Sequence, residues 1–529
     1  MFKNTDFVTG YSIKGFLEEK YLSDSRLKDL CAGLAYTKSF ELSDETVEET
    51  LVSLKQLFSQ YGYAEVLGEL AKVWVQEKAV PFFLRAKIEV NNNGEIRTIA
   101  THYPRAYNGG VERVNAQLMT LWVQMGYKVV LLTEESENEL DFPYPPEVKR
   151  FIIPGTSDLV GRLQTIQKYC MQEHVDVYVN HNWGTDTVLW ECMMLKVIHV
   201  PFIQYMHAHF TWSIWHNKNT LCQPELFGLC DVILALSETN ARFYQLCGCK
   251  SYLVQNPIPE DIIKNRTIAK LNSKHILMVG RLSAEKRPMD ALRIFKLVNQ
   301  EFPETVLDVV GGDDGNFVTQ MEDYISEHGL NGKVIFHGKK NQNEVAEFYK
   351  NSMCVLLTSE MESYCMVILE SKAYSLPVVM YNLPYLALVK DGKGILTATI
   401  GDIEGMAKHV IYLLKNSSFR ITLGRSARES FDDFTRYDAE MAWKNIIMLC
   451  SSNGKNVDDL NYFNPEKVQY GDKYILPMLL DSMKRGYDHV LYSSHEYQVG
   501  KRVLKYIDIV KSKGRGVKEI LFHRKDKKE

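Results

Sequence analysis

Short, continuously apolar segments alternate with helix-patterned stretches in two separate series, and this constrains the fold of the 529 residues more than any other feature. The first series comprises residues 96–101, 128–133, 176–180, 201–206 and 232–236, with helical periodicity over 111–125. The second comprises 275–279, 306–310, 334–336, 354–357 and 377–380, with a helix over 288–302 that carries proline near its first turn. A strand buried on both faces loses the polar–apolar alternation, and strands alternating with helices build a parallel sheet covered on both sides. Two such α/β units are therefore expected, joined by a linker that begins at Asn256-Pro-Ile-Pro259. Paired units of this kind bind ligands in the cleft between them.

The boundaries that follow are 1–94, a helical extension ended by the turn signal Asn91-Asn-Asn-Gly94; 95–265, the first α/β domain; 266–450, the second; and 451–529, a helical extension. The last nineteen residues carry eight Lys/Arg against three acids. That tail is read as solvated, with contact to anionic lipid headgroups as the alternative. The net charge of −4 gives no basic field for nucleic acid. No apolar run reaches the roughly 20 residues that span a bilayer, and Met1–Gly10 lacks the apolar stretch of a secretory leader. A cytoplasmic protein is expected, at most peripheral at the inner face of a membrane. The ten cysteines are scattered, and the one close pair, Cys247-Gly-Cys249, is wrongly spaced for zinc.

Three segments carry chemistry. In Glu362-Ser-Tyr-Cys-Met-Val-Ile-Leu-Glu370, good helix formers begin at Met366. Glu362 should thus precede a helix N-terminus and Glu370 lie one to two turns inside it. The free N–H groups and positive dipole end between them suit phosphate. In Gly280-Arg-Leu-Ser-Ala-Glu-Lys-Arg-Pro288, two cations, Arg281 and Lys286, follow the first strand of the second domain, where they could neutralise a diphosphate. In Tyr107-Asn-Gly-Gly-Val-Glu-Arg-Val114, Gly109 and Gly110 let a backbone approach a ligand closely. Singly, each has an ordinary structural explanation: an acidic loop, a basic turn, a glycine turn. Neither the dinucleotide fingerprint nor a P-loop is present, which argues against a nicotinamide oxidoreductase.

In this order the three segments resemble the GT-B glycosyltransferases of family 4. That resemblance covers residues 96–450, roughly two thirds of the chain. It implies two Rossmann-like domains and retaining transfer from a nucleoside diphosphate sugar, UDP- or GDP-linked, to a glycan or lipid-linked acceptor in cell-surface polysaccharide assembly. It further implies that Arg281 and Lys286 bind the diphosphate and that Glu370 binds the ribose. Glu362, Ser363 and the backbone of Tyr364, Cys365 and Met366 would hold the sugar. Gly109 and Gly110 would approach from the first domain, and His337 and Gly338 would lie near the base. A histidine near the sugar corresponds to His207, with His209 as its rival. Cys365 stands where the family has glycine or serine, Tyr364 where phenylalanine is commoner, and Ser375 where glycine is common. The chain has no Asp-x-Asp, so cations rather than a metal are expected to hold the leaving group; no cofactor is implied. A sugar-nucleotide epimerase of the same fold and a non-catalytic partner subunit remain as alternatives. The terminal extensions are the candidates for docking a protein partner.

Overall fold

The computed structural model describes residues 95–451 apart from short internal stretches, the longest being 212–229, together with Ile475 and Met478. The expectations for 1–94 and for the basic tail lie outside the described residues, as do nearly all of the C-terminal extension, Asn108 of the glycine turn and Cys247.

The two expected sheets are present and fully parallel. The first has seven strands in the order β3-β2-β1-β4-β5-β6-β7. They are β1 (Thr98–His102), β2 (Lys128–Thr133), β3 (Lys149–Ile152), β4 (Val177–Asn180), β5 (Phe202–Met206), β6 (Val232–Ala235) and β7 (Ser251–Leu253). The second has six, in the order β10-β9-β8-β11-β12-β13. These are β8 (His275–Val279), β9 (Val306–Val310), β10 (Val334–Gly338), β11 (Cys354–Leu357), β12 (Val378–Tyr381) and β13 (Ile395–Ala398). In each sheet the strand order reverses at one point, between β1 and β4 and between β8 and β11. Loops diverge to opposite faces there and leave a crevice at the carboxyl ends of the strands. The glycine turn follows β1, the Arg281–Lys286 segment follows β8 and the Glu362 loop follows β11, so all three segments open onto these two crevices.

Helix α1 (Gly110–Gln124) buries Val114, Leu118, Met119 and Trp122 against the first sheet. Helix α2 (Pro288–Glu301), with proline at its first position, buries Ala291, Leu292, Phe295 and Val298 against the second. After α3 (Gln342–Asn351), α4 (Met366–Ala373), α5 (Ile403–Lys415) and α6 (Ser417–Phe434), the chain returns to the first unit. Trp443 of α7 (Ala439–Ser451) meets Trp122 edge to face at 4.8 Å, and the Tyr437 hydroxyl accepts from the Gln255 N–H at 3.4 Å. Among the described residues no helix is long and apolar enough to cross a membrane.

The ends of β8 and β9 touch backbone to backbone. Gly280 N–H donates to the Val310 carbonyl at 2.9 Å, and Gly311 has φ 153°. A Cβ on Gly311 would lie 1.8 Å from the Gly280 carbonyl oxygen. Gly311→Ala is therefore expected to lose at least about 2 kcal/mol of stability, as for other forced backbone shifts in a core. Urea denaturation of the two proteins measures this, and an unchanged midpoint would contradict the packing described.

Candidate active site

On the second-domain side, the turn after β8 is stapled to the loop after β11. The Thr358 hydroxyl donates to the Lys286 and Arg287 carbonyls at 2.7 and 3.1 Å. Glu360 N–H donates to the Glu285 carbonyl at 2.9 Å. Arg287 takes a left-handed φ of 46° and pairs with Asp290 at 2.6 Å and Glu360 at 2.9 Å. This bracing delivers Lys286 to Glu362, with which it forms a largely buried ion pair. Burial alone would lower the Lys286 pKa, but Glu362 more than offsets it, so the pKa is raised and the ammonium stays charged. Arg281 is mostly exposed and pairs with Asp314 at 3.0 Å. Its charge also reaches Glu112 and Tyr103 of the first domain, so it faces across the cleft.

Helix α4 starts at Met366, as its composition predicts. Cys365 caps it with a left-handed φ of 65° and no side-chain bond to the first N–H groups. Ser375 is also left-handed, at φ 56°. Both positions where the chain departs from glycine thus have backbone that glycine adopts without strain. The Ser363 and Tyr364 hydroxyls are buried and have no hydrogen-bond partner among the described residues.

Glu370 is buried in α4 and gripped from two sides. The Tyr349 hydroxyl of α3 donates to it at 2.7 Å, and Arg113 of α1 pairs with it across the domain boundary. The Arg113 Nε and second terminal nitrogen are buried without partners among the described residues. Beside Arg113 the space between the domains continues as a cavity of about 470 Å³, bordered by Gln117, Pro257, Gln342 and Tyr437. Arg113 and Tyr349 were not anticipated from the sequence. The signal for Arg113 was present, since it closes the Gly-Gly-Val-Glu-Arg segment. Tyr349 had none, because a tyrosine in an amphipathic helix reads as core.

From the first domain, Gly109 precedes α1 in extended backbone. The Glu112 carboxylate fills the space where a side chain on Gly109 would go, a Cβ there lying 2.1 Å from its Oε2. Burial raises the Glu112 pKa, against the bond from Arg105 at 2.8 Å. A Cβ on Gly110, in contrast, would meet nothing within 4 Å, which leaves room for an incoming group.

The two histidines after β5 separate clearly. The His209 ring nitrogens lie 2.8 Å from the Thr211 hydroxyl and 2.9 Å from that of Thr239, so its bonding is complete. His207 is half-buried, and its Nε2 lies 2.7 Å from Nδ1 of His181. Its Nδ1 has no partner among the described residues. Burial lowers the pKa of both His207 and His209 to about 3, and that of His102 to about 4. The unfolded chain protonates these rings as the pH falls through the ordinary 6.5, whereas the folded chain resists until about 3 to 4. Their contribution is complete above pH 6.5 and is lost progressively below it, at about 1.4 kcal/mol per ring and pH unit at most. Urea denaturation at pH 7.5 and at pH 5 should show a loss exceeding about 2 kcal/mol at the lower pH. Equal stabilities would contradict neutral buried rings.

His337 lies at the bulge in β10 and turns back to Asp308, with Nε2 and Oδ1 2.7 Å apart, while Gly338 has φ 65°. The His337 ring is thus held by the sheet, and Gly338 is the member of the pair with open space around it. Among the described residues no group of three or more His, Cys, Asp or Glu could hold a metal ion.

Comparison with known proteins identifies the family and the fold. The model of "Glycosyltransferase Family 4" matches residues 108–261, and that of "Glycosyl transferases group 1" matches residues 259–430. An uncharacterized glycosyltransferase of Haemophilus influenzae is 22% identical over 64% of this chain and 96% of its own length. A Campylobacter jejuni α-1,4-N-acetyl-D-galactosaminyltransferase, whose name specifies an undecaprenol-diphosphate-linked acceptor, is 23% identical over 53% of this chain and 77% of its own. Among solved structures, sucrose-phosphate synthase of Thermosynechococcus elongatus superposes with TM-score 0.56 and 14% identity, over 66% of this chain and 98% of that one. Anabaena HepE in complex with UDP and glucose gives 0.53 and 16%, over 68% and 100%. The two family models meet at the linker and together cover residues 108–430, which hold every strand of both sheets except β1: the chain is a glycosyltransferase of GT-B fold, belonging to the family 4, group 1 enzymes.

Proposed function

We propose that this enzyme transfers a sugar, with retention of configuration, from a UDP- or GDP-linked donor to a glycan or lipid-linked acceptor in cell-surface polysaccharide assembly. The observation that carries this reading is the Lys286–Glu362 pair at the N-terminus of α4, with Glu370 further along the same helix. A diphosphate needs cations and N–H groups, a sugar needs a carboxylate for its hydroxyls, and the two meet at one bond. Lys286 and Glu362 offer both at one point. Glu370 then takes the ribose hydroxyls, with Arg113 and Tyr349 beside it. The names of the Campylobacter relative and of the HepE complex support a lipid-linked acceptor and a uridine nucleotide.

In the reaction, the acceptor oxygen bonds to the anomeric carbon as the bond from that carbon to the phosphate oxygen breaks. The acceptor proton passes to the leaving phosphate on the same face. Lys286, Arg281 and the uncapped N–H groups of α4 stabilise the charge growing on the diphosphate. These groups do the work a metal would do, so the enzyme needs none. Glu362 orients the sugar rather than attacking it, because its carboxylate is already engaged by Lys286.

Proton NMR of the product formed from an α-linked donor tests the stereochemistry. An α-configured product supports the reading, and a β-configured product or a glycosyl adduct on Glu362 found by mass spectrometry refutes it. Incubation with the donor alone, followed by a search for an isomerised sugar, separates the transferase from an epimerase.

A further inference from the structure

His181 follows β4 and His207 follows β5, at the carboxyl ends of neighbouring strands. Their ring centroids are 5.0 Å apart while the bonded nitrogens are 2.7 Å apart, so the rings meet edge to edge. Both pack on the Tyr205 ring, at 5.3 and 4.4 Å. His181 is fully buried, and its Nε2 has no partner among the described residues.

One proton bridges the two rings, and it has two possible owners. If His207 donates from Nε2 to Nδ1 of His181, then the neutral His181 must carry its own proton on Nε2. That puts an unpaired N–H in a fully buried position. If His181 donates from Nδ1, its Nε2 is a bare lone pair, and His207 carries its proton on Nδ1. Orphaned N–H groups are rarer in protein interiors than under-satisfied acceptors, so the second arrangement is preferred. The bonded nitrogen of a histidine dictates the state of the other one.

We infer that His181 is a positioning residue: through its Nδ1 it fixes His207 in the tautomer protonated on Nδ1, so that His207 offers an N–H donor to a hydroxyl oxygen of the transferred sugar. This rests on the reading of His207 as a contact of the donor sugar. A site built to donate at that point prefers a sugar with an accepting oxygen there and rejects an analogue lacking it.

Two measurements on the full chain test this. The first is a two-bond proton–nitrogen correlation spectrum of protein labelled with nitrogen-15 histidine, with the signals assigned from His181→Asn and His207→Asn. The expected pattern has both rings neutral and protonated on Nδ1; a His207 ring protonated on Nε2 overturns the proposal. The second is donor turnover. His181→Leu removes the N–H and should lower kcat about tenfold or more, as outer positioning groups do. His181→Asn, whose amide N–H can donate from the place of Nδ1, should restore most of it. Full activity of folded His181→Leu, or His181→Asn as impaired as His181→Leu, also overturns the proposal. Failure of the wild-type protein to consume any nucleoside diphosphate sugar would sink the donor reading instead, and the spectrum would still decide the tautomer.

Discussion

Lys286→Ala is expected to lower kcat/KM for the donor by at least about a hundredfold, the scale seen when a group that stabilises transition-state charge is removed. The ammonium is largely buried and charged, and Thr358 braces the backbone that carries it, so no solvent molecule replaces it in the same position. The substitution also strands the Glu362 carboxylate, which costs stability on its own. Lys286→Ala combined with Glu362→Gln removes that complication: if the charge on the leaving group is what matters, the double variant stays as slow as the single one while regaining stability. Arg281→Ala should fall in the same direction by a comparable factor, although Arg281 is exposed and its pairing with Asp314 is solvent-screened. Undiminished donor turnover in both single variants would remove the diphosphate assignment. Initial rates of nucleoside diphosphate release measure all four proteins.

Glu370→Ala should weaken binding of the nucleoside diphosphate by about 10- to 100-fold, the worth of hydrogen bonds to a charged group. Its signature differs from that of Lys286. On the proposed reading the ribose contacts are present in ground state and transition state alike, so KM should rise while kcat changes little. Arg113 sharpens the test. In the structure its guanidinium rests against Glu370, with two buried nitrogens that have no partner among the described residues. Arg113→Ala removes the partner with which a ribose bound at Glu370 would share the carboxylate, and its effect should not add to that of Glu370→Ala. Calorimetric titration of the single and double variants reads this, and additive losses would show that the two residues act on different parts of the ligand.

What the sequence disclosed follows burial. Every interior strand of both sheets was legible, because a strand covered on both faces is continuously apolar. The three strands that were not anticipated, β3, β7 and β13, are all sheet edges. Each is short and partly exposed, as in Lys149–Ile152, where no residue is fully buried. Their mixed composition carries no period to detect. The start of α4 and the positions of Glu362 and Glu370 were legible because helix formers begin abruptly at Met366. The pairing of Lys286 with Glu362 was not, since 76 residues separate them and only the strand order brings β8 beside β11. The same limit hid the contact of Arg113 with Glu370 across 257 residues. The choice between His207 and His209 also needed coordinates. Both are strand-end histidines two residues apart, and only the coordinates show that both ring nitrogens of His209 are taken up by threonine hydroxyls.

The central claim is that a nucleoside diphosphate sugar lies between Lys286 and Glu370. Thermal denaturation in the presence of UDP, GDP, ADP and their sugars tests it most directly, because a ligand bound only by the folded protein raises its midpoint. The account predicts that one nucleotide series, UDP or GDP, stabilises the wild-type protein. It also predicts that Glu370→Ala and Lys286→Ala, folded and measured beside it, lose most of that gain. No stabilisation by any of the series, or equal stabilisation of the wild type and both variants, would contradict it.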